Sequence, residues 1–567
     1  MGMIDGGEVV VRAMRAHGIE TMFTISDIAQ SPMLRSAEDA GMRLVAPRHE
    51  SAGVHMADGW ARASGGLAAA AGAAGPGVAN MVPGLVCASV EGVPLLAIGT
   101  QRVRRSIRSA RRGRFQFAPQ LEVVAPVTKF AARVDDAVRL PEFVAEAVRH
   151  ARSGRPGPSF LEIPSDVLLE EVDEDEVTIG DPARAFAAPS APDPASVAAA
   201  ARMLREARFP VILAGHGVHR GDGAAEPLRV LAEQTGALVM TTAGAQGAFP
   251  GSHPQSVGMV FPWGTPAHLD ADVVLAVGTQ LGESTQYLLP PAWAGPDTQQ
   301  LVHLDRDPLQ IGVNRDVDVA LIGDAAAGLS ALVTALADEP ARPPAEDAAS
   351  YAAGYHAFRR DVIDGYAAID SAPVHPGRLA VELADALPDD TVLCMDGGNT
   401  GLWASLAFTR EHPRSLLWTG HLGHLGTGLP YAIGAKLACP QRPVVLFTGD
   451  GAFGFNLQEL ETAARERLAV VVVINCDYAW GMEELYMEKV AGTTVNVKQS
   501  EVRYDEVARA LGCRGELIDT PDGLRPALDR ALAAVGPTVI LVVVDDRENV
   551  HPPGLDEFLG MYDAEQS

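Results

Sequence analysis

The chain of 567 residues has few cysteines, a deficit of basic side chains and no long apolar run. Its five cysteines (Cys87, Cys394, Cys439, Cys476, Cys513) form no Cys-x-x-Cys pair, so neither a disulfide framework nor a structural zinc site is indicated. Lys and Arg number 45 against 72 Asp and Glu, giving a formal charge of -27. A nucleic-acid binder needs a basic footprint, and only the short run Arg102–Arg114 is basic. That run reads as a solvated or anion-contacting loop. Apolar stretches such as Leu67–Ala74 fall far short of the ~20 residues of a membrane span. Met1–Gly18 carries charges throughout and has no apolar signal-peptide core. These absences predict a soluble, cytoplasmic protein of a reducing compartment, with neither nucleic acid nor membrane as partner.

What is present supports ordinary globular cores, with 47% hydrophobic and 21% charged residues. At roughly 100–200 residues per domain, the length predicts about three to five domains. Apolar strand-like runs alternate with helical patterns, which implies parallel sheets. The runs are Leu44–Ala46 and Pro94–Ile98, then Pro210–Ala214, Ala237–Thr241, Val273–Val277 and Leu301–Leu304. A last group comprises Thr391–Met395, Pro443–Phe447, Ala469–Asn475 and Val539–Val544. The acidic stretch Glu170–Val177 with the Ala/Pro-rich Pro182–Pro194 reads as one linker, and Asp338–Asp347 as a second. The expected fold is α/β, with three doubly wound parallel-sheet domains over residues 1–175, 190–340 and 365–550.

The most informative segment is Arg442–Met482. Val444–Phe447 is an apolar β-run, followed by the tight turn Gly449-Asp450-Gly451. Asn456–Arg467 has a helical apolar pattern, and Ala469–Ile474 is a second apolar run ending at Asn475-Cys476-Asp477. Such a strand–turn–helix–strand unit takes a right-handed crossover. Asp450 and Asp477 then lie at the carboxyl ends of neighbouring strands, the edge where open α/β sheets bind ligands. Two carboxylates there, with glycines allowing close backbone approach, suit a hard divalent cation bound to phosphate oxygens. The amides opening the next helix favour the phosphate itself.

This segment resembles the thiamine diphosphate (ThDP) motif, in which Gly-Asp-Gly is followed by an Asn-Asn pair. Asp450 and Asp477 stand 27 residues apart, the separation of that family's magnesium ligands. Cys476-Asp477 replaces Asn-Asn, which keeps an oxygen ligand and adds a negative charge. The resemblance implies Mg2+ bound by Asp450, Asp477 and the Ala479 carbonyl. It further implies diphosphate contacts from Gly449, Gly451, Ala452, Gly481 and Met482, and from the loop Asp396-Gly397-Gly398-Asn399-Thr400 through Gly398, Asn399 and Thr400. Arg48-His49-Glu50-Ser51-Ala52, followed by Met56–Arg62, resembles the family's glutamate segment. There the glutamate, here Glu50, hydrogen-bonds N1′ of the aminopyrimidine and drives the ring to the imino form that activates the thiazolium. Gly420–Lys436 resembles the pyrimidine-binding segment, with Leu425 as the wedge that bends the cofactor and Gly423 as a carbonyl contact. Gly75-Pro76-Gly77 with Asn80 resembles the Gly-Pro-Gly loop near the pyrimidine. Phe115-Gln116, Pro126–Lys129, Gly154–Pro158 and Ile163–Val167 match the acetolactate synthase-like branch, which puts Gln116 among the residues lining the active site.

Specificity signals are poorer. Ser26-Asp27 stands where acetolactate synthases carry a Gly-Gly turn and some carboligases a histidine; Asp27 faces the reacting carbon or simply caps a helix. Trp480, Met482 and Tyr486 form an acceptor pocket or pack within a helix. The central block carries Gly215-His216-Gly217 but no full G-x-G-x-x-G, so the resemblance leaves FAD open there without supporting it. The resemblance implies a ThDP- and Mg2+-dependent lyase or carboligase acting on small 2-oxo acid or aldehyde substrates. Two alternatives stay open: a 2-hydroxyacyl-CoA lyase or oxalyl-CoA decarboxylase-like enzyme, and a catalytically silent regulatory subunit. In related enzymes each site is shared by two chains, so a homodimer or homotetramer is expected.

Overall fold

A computed structural model describes residues 2–107, 113–182, 189–219, 223–261 and 265–564. Residues 108–112 of the basic run and 183–188 of the first linker lie outside the described residues. The chain forms two compact units. The first comprises Met1–Ala188, Thr419–Gln441 and Asn456–Leu468; the second comprises Pro189–Trp418, Arg442–Phe455 and Ala469–Ser567.

In the first unit, β1 (Met3–Asp5) and β8 (Glu171–Asp173) pair antiparallel as a small ribbon. The main sheet is built from β2 (Thr21–Thr24), β3 (Arg43–Val45), β4 (Ala69–Gly72), β5 (Leu95–Gln101), β6 (Phe130–Arg133) and β7 (Pro158–Pro164). Its order is β3-β2-β4-β5-β7-β6, and every pairing is parallel. The start of the segment read as an acidic linker is thus part of the fold. Val172 on β8 is buried, and Arg12 pairs with Glu174 at 2.6 Å, so the acidic residues face outward along an ordered ribbon. Arg104, in the basic run, pairs with Asp166 and Glu170 at 3.0 Å.

The helices Glu50–Ser64 and Gly428–Ala438 pack closely within this unit. Glycines permit it: a Cβ on Gly59 would lie 2.6 Å from the Tyr431 backbone, and one on Gly434 would strike the Met56 carbonyl. The helix expected over Asn456–Arg467 covers only Glu459–Arg465. Asn456 turns its side-chain amide to the Gly426 carbonyl at 2.7 Å, so residues 456–458 form turns instead.

The second unit holds two six-stranded parallel sheets. The central one, β9 (Pro210–Ala214), β10 (Leu238–Thr241), β11 (Ser256–Met259), β12 (Val273–Val277), β13 (Gln300–Asp305) and β14 (Val319–Ile322), has the order β11-β10-β9-β12-β13-β14. Alternate residues feed opposite faces: Val211, Leu213, Val274 and Ala276 enter one core, and Ile212, Ala214, Val273 and Leu275 the other. The last sheet, β15 (Val392–Asp396), β16 (Leu416–Leu417), β17 (Val444–Gly449), β18 (Val470–Cys476), β19 (Arg514–Ile518) and β20 (Thr538–Val543), has the order β16-β15-β17-β18-β20-β19. All of β18 is buried, which is why it reads as a continuous apolar run rather than an alternating one. The fold is therefore α/β with three parallel-sheet domains, as the alternation of runs predicts. In each sheet the direction of winding reverses between two neighbouring interior strands: between β2 and β4, between β9 and β12, and between β15 and β17. Such reversals open the crevice that ligands use. No helix among the described residues is long and apolar enough to cross a membrane.

Candidate active site

In the first unit, Glu50 opens its helix with His49 as N-cap, the imidazole accepting the Ser51 N–H at 3.2 Å. Asn80 donates its side-chain amide to Glu50 Oε2 at 2.9 Å. A Cβ on Gly77 would lie 3.3 Å from Glu50 Oε1, so the glycine lets the carboxyl lie against the turn after β4. Gly75 has φ 74°, and a Cβ there would sit 2.7 Å from the Gln116 carbonyl. Glu50, Asn80, Gly75 and Gln116 are thus brought together at the crevice beside β4.

Gln116 is half-buried with φ 53° and meets Gly75 through its backbone. Gln120, which the sequence reading missed, is fully buried beside the same turn. It accepts the Gly75 N–H at 2.6 Å and donates to Glu162 Oε2 and the Thr100 carbonyl at 3.0 Å. Glu162, itself buried, also takes Gln101 at 3.0 Å and pairs with Arg133. Asp27 accepts the Ala29 N–H at 2.9 Å and so caps a short 3-10 turn, the structural role left open for it. Gly423, at φ 63°, is exposed, and Leu425 is half-buried. The preceding residues are held by Glu91, whose Oε1 accepts the N–H groups of His421 and Leu422 at 2.9 and 3.1 Å.

In the second unit, β17 and β18 run in register from Val444 opposite Val470 to Gly449 opposite Asn475. Asp450 and Asp477 therefore follow adjacent strand ends, and both are buried. Asp450 accepts the Gly451 N–H at 2.8 Å through Oδ1, and the Cys476 thiol reaches its Oδ2 at 3.4 Å. Asp477 accepts the Ala479 N–H at 3.1 Å and the Asn549 side-chain amide at 2.7 Å. Burial, and then the neighbouring Asp477, pushes Asp450 up to about 7; burial also raises Asp477. Burial raises the Cys476 thiol far above its usual range, so it stays protonated and donates.

The loop after β15 completes this half. Gly397 has φ 97°, and a Cβ on Gly449 would lie 3.2 Å from Thr400 Oγ1. Asn475 donates to Thr400 Oγ1 at 3.2 Å and to Asn549 Oδ1 at 2.9 Å. Asn399 is buried with neither side-chain polar atom partnered, and Asn475 Oδ1 is likewise unpartnered. A Cβ on Gly481 would meet Asp477 Oδ2 at 2.5 Å and Asn399 Nδ2 at 3.1 Å, so these groups crowd one small space. Ala452 is buried in the short helix that Asp450 opens, and a Cβ on Gly451 would strike the Trp480 ring at 2.6 Å. A Cβ on Gly398 would meet Met482 Sδ at 2.8 Å. Met482 and Tyr486 pack with Leu485 and Phe558 against Leu402, Leu555 and Leu559, the packing role of the two left open. Asn475 and Asn549 were not singled out in the sequence; Asn549 lies 72 residues from Asp477 and carries no motif.

Two buried carboxylates with raised pKa values, beside the buried Asn399 amide without partners, fit a divalent cation and an oxygen-rich ligand. Among the described residues no three His, Cys, Asp or Glu side chains cluster as metal ligands, so a cation held here would also need backbone or ligand oxygens. In the central sheet, Gly215 and Gly217 serve backbone packing. A Cβ on Gly215 would strike the Gly278 carbonyl, and one on Gly217 would lie 2.7 Å from Gly278 Cα. The Gly217 N–H donates to the Gly278 carbonyl at 2.8 Å.

Three family models match the chain in order. Residues 4–123 match "Thiamine pyrophosphate enzyme, N-terminal TPP binding domain", 197–332 the central domain, and 396–542 the C-terminal TPP binding domain. The chain is 34% identical to the acetolactate synthase large subunit of Mycobacterium tuberculosis over 96% of either chain. It is 32% identical to the acetolactate synthase large subunit of Parasynechococcus marenigrum, covering 97% of this chain and 89% of the relative. It is also 32% identical to the sulfoacetaldehyde acetyltransferase of Castellaniella defragrans, covering 93% and 90%.

Proposed function

Because the chain belongs to the thiamine pyrophosphate enzymes, we propose that it is a magnesium-dependent lyase or carboligase. In this reading it decarboxylates a small 2-oxo acid and passes the acyl group to a second 2-oxo acid or an aldehyde; that its relatives include proteins named acetolactate synthase and sulfoacetaldehyde acetyltransferase supports acyl chemistry. The observation that carries the reading is the paired buried carboxylates Asp450 and Asp477 beside the unpartnered Asn399 amide.

The chain's own residues would divide the work. Asp450, Asp477 and the Ala479 carbonyl would hold Mg2+, whose charge offsets the cost of ionising the pair. Gly449, Gly451, Ala452 and Gly481 would bring backbone amides to the diphosphate, helped by Gly398, Asn399 and Thr400, with Met482 closing over Gly398. Gly423 and Leu425 would contact and wedge the pyrimidine. When bound, thiamine diphosphate supplies a nucleophilic thiazolium carbon and an electron sink. Glu50, held by Asn80, would keep a proton at N1′, and Gln116 would line the substrate side. The five free cysteines, four of them buried, suit a reducing, cytoplasmic setting.

We propose a homodimer, alone or doubled into a homotetramer, in which Glu50 of one copy serves the cofactor held by Asp450 and Asp477 of the other. The test of the whole reading is reconstitution. EDTA with gel filtration should abolish CO2 release from pyruvate or another 2-oxo acid, and ThDP with Mg2+ should restore it. Turnover by a preparation free of both would sink the proposal.

A further inference from the structure

Glu459 opens the Glu459–Arg465 helix of the first unit and is completely buried. Its two carboxyl oxygens accept the backbone N–H of Arg48 at 2.9 and 3.1 Å, and Oε2 accepts the Thr462 hydroxyl at 2.7 Å. The backbone N–H of His49 also faces it and holds its pKa down. Arg48 and His49 immediately precede Glu50, and His49 caps the helix that Glu50 opens. We infer that Glu459 is a positioning residue whose carboxylate fixes the Arg48-His49 backbone and thereby the direction in which Glu50 projects. The catalytic half of this inference rests on the role of Glu50 proposed above.

Every partner of Glu459 is a donor. A carboxylate offers only lone pairs and suits them all; a carboxylic acid or an amide must aim a hydrogen at one of them. An added proton finds an acceptor only if the Thr462 hydroxyl turns round. Burial pushes Glu459 up to about 7, opposed by Thr462 and the two backbone donors, so the clamp changes state near neutral pH. The charged groups around it are few. Arg48 lies 4.0 Å from Glu461, Arg465 binds Glu461, Glu466 and the Ala46 carbonyl, and the His49 imidazole is engaged with Ser51. A carboxyl with a raised pKa is ionised only above that value, so the clamp holds above about 7 and slackens below it.

The test compares the full-length parent with Glu459→Gln and Glu459→Asp, each reconstituted with ThDP and Mg2+. Hydrogen exchange of the Arg48 and His49 amides is read by mass spectrometry from about pH 6 to about pH 8 and corrected for intrinsic rates. The parent should gain protection at these amides as pH rises through about 7; Glu459→Gln should lack it and Glu459→Asp keep part. In kinetics, Glu459→Gln should lose roughly 10- to 100-fold in kcat with little change in KM, as for a slightly misplaced catalytic group. It should also lose the limb of the pH profile near 7, and Glu459→Asp should recover part of the rate. Parent-like exchange at Arg48 and His49 in Glu459→Gln would overturn the clamp, whatever the parent does with ThDP. So would a fall in kcat matched by equal losses of ThDP affinity and melting temperature in both variants, which is how a merely structural residue behaves. A parent indifferent to ThDP would instead overturn the proposed function, and the exchange data would still decide the clamp.

Discussion

Asp477→Asn is a substitution whose outcome follows from the hydrogen-bond directions around it. An asparagine at 477 turns one acceptor oxygen into an NH2 that faces either the Ala479 N–H or the Asn549 amide. Left facing a donor, it would cost about 1–3 kcal/mol. The network can reverse instead. Asn549 can flip to present its oxygen, Asn475 can flip to accept from Asn549, and the Thr400 hydroxyl can donate to Asn475 rather than accept. The variant should therefore fold like the parent. Electrostatics then favours it. Raising Asp450 from an ordinary 3.8 to about 7 means that ionising it in the metal-free protein costs about 4 kcal/mol more than in water, of which the Asp477 charge is the second cause after burial. A carboxyl with a raised folded pKa contributes stability in full below about pH 4, and that contribution is lost as pH rises through about 7. Mg2+ needs the ionised form, so in the parent its binding should release about one proton near pH 6 and weaken about tenfold per pH unit below 7. With the neighbouring charge removed, Asp477→Asn should release fewer protons, lose affinity less steeply and bind Mg2+ and ThDP as tightly or more so at neutral pH. Asp477→Ala, lacking an oxygen, should require far more Mg2+. Calorimetry in two buffers of different ionisation enthalpy counts the protons. A parent that releases none, or an alanine variant that binds like the asparagine variant, would refute the assignment of the pair as ligands.

Glu50→Gln keeps its size and its contact with Asn80, so it should fold normally yet lose roughly two or more orders of magnitude in turnover, read by steady-state kinetics. Gly481→Ala places a methyl 2.5 Å from Asp477 Oδ2 and should weaken Mg2+ binding by tenfold or more while leaving circular dichroism unchanged, because the clash falls on the carboxylate. Mixing inactive Glu50→Gln with inactive Asp450→Ala should restore about half the parent activity per mixed dimer, since one of two shared sites then carries both defects and the other neither. No recovery after subunit exchange, verified by native mass spectrometry, would mean that each site is built within a single chain.

Many interior strands of the second unit were legible because burial on both faces writes itself as unbroken apolar sequence. Pro210–Ala214 and Val273–Val277 appear where expected, and Val470–Cys476 within a residue. Edge strands were mostly not, though the edge strand β3 (Arg43–Val45) was expected as Leu44–Ala46. Arg514–Ile518 and Val319–Ile322 lie at sheet edges and keep polar or half-exposed residues, so only the neighbouring strand identifies them. The candidate site divides similarly. Asp450 and Asp477 are visible because strand-end position and spacing are local properties. Asn549, Gln120, Glu91 and Glu459 are not, because each acts on a loop distant in sequence, and a single acidic or amide residue on a helical pattern looks like a solvated one. Glu459 shows this most clearly: its helical neighbours Glu461 and Glu466 are ordinary surface partners of Arg465, and only burial separates it from them.

The three sheets also show why similar backbones need not carry similar chemistry. The first and last share one strand order, and the central sheet has the order typical of dinucleotide-binding folds. Each has glycines at its reversal point. In the central sheet Gly215, Gly217 and Gly278 fill one another's space, with hydrogen bonds from Gly217 and Gly215 closing the crest. Their lack of side chains is spent on packing. At the first reversal point Gly77 instead makes room for the Glu50 carboxyl. At the last, Gly449 and Gly481 make room beside Thr400, Asp477 and an Asn399 amide that no protein group satisfies. A buried amide without partners is costly, and two adjacent buried carboxylates with raised pKa values are costly as well. A fold tolerates both together where a ligand of opposite demands, a cation with phosphate oxygens, relieves them. Beside β4 and β17 the glycines therefore make room for carboxyl and amide groups, and beside β9 they do not.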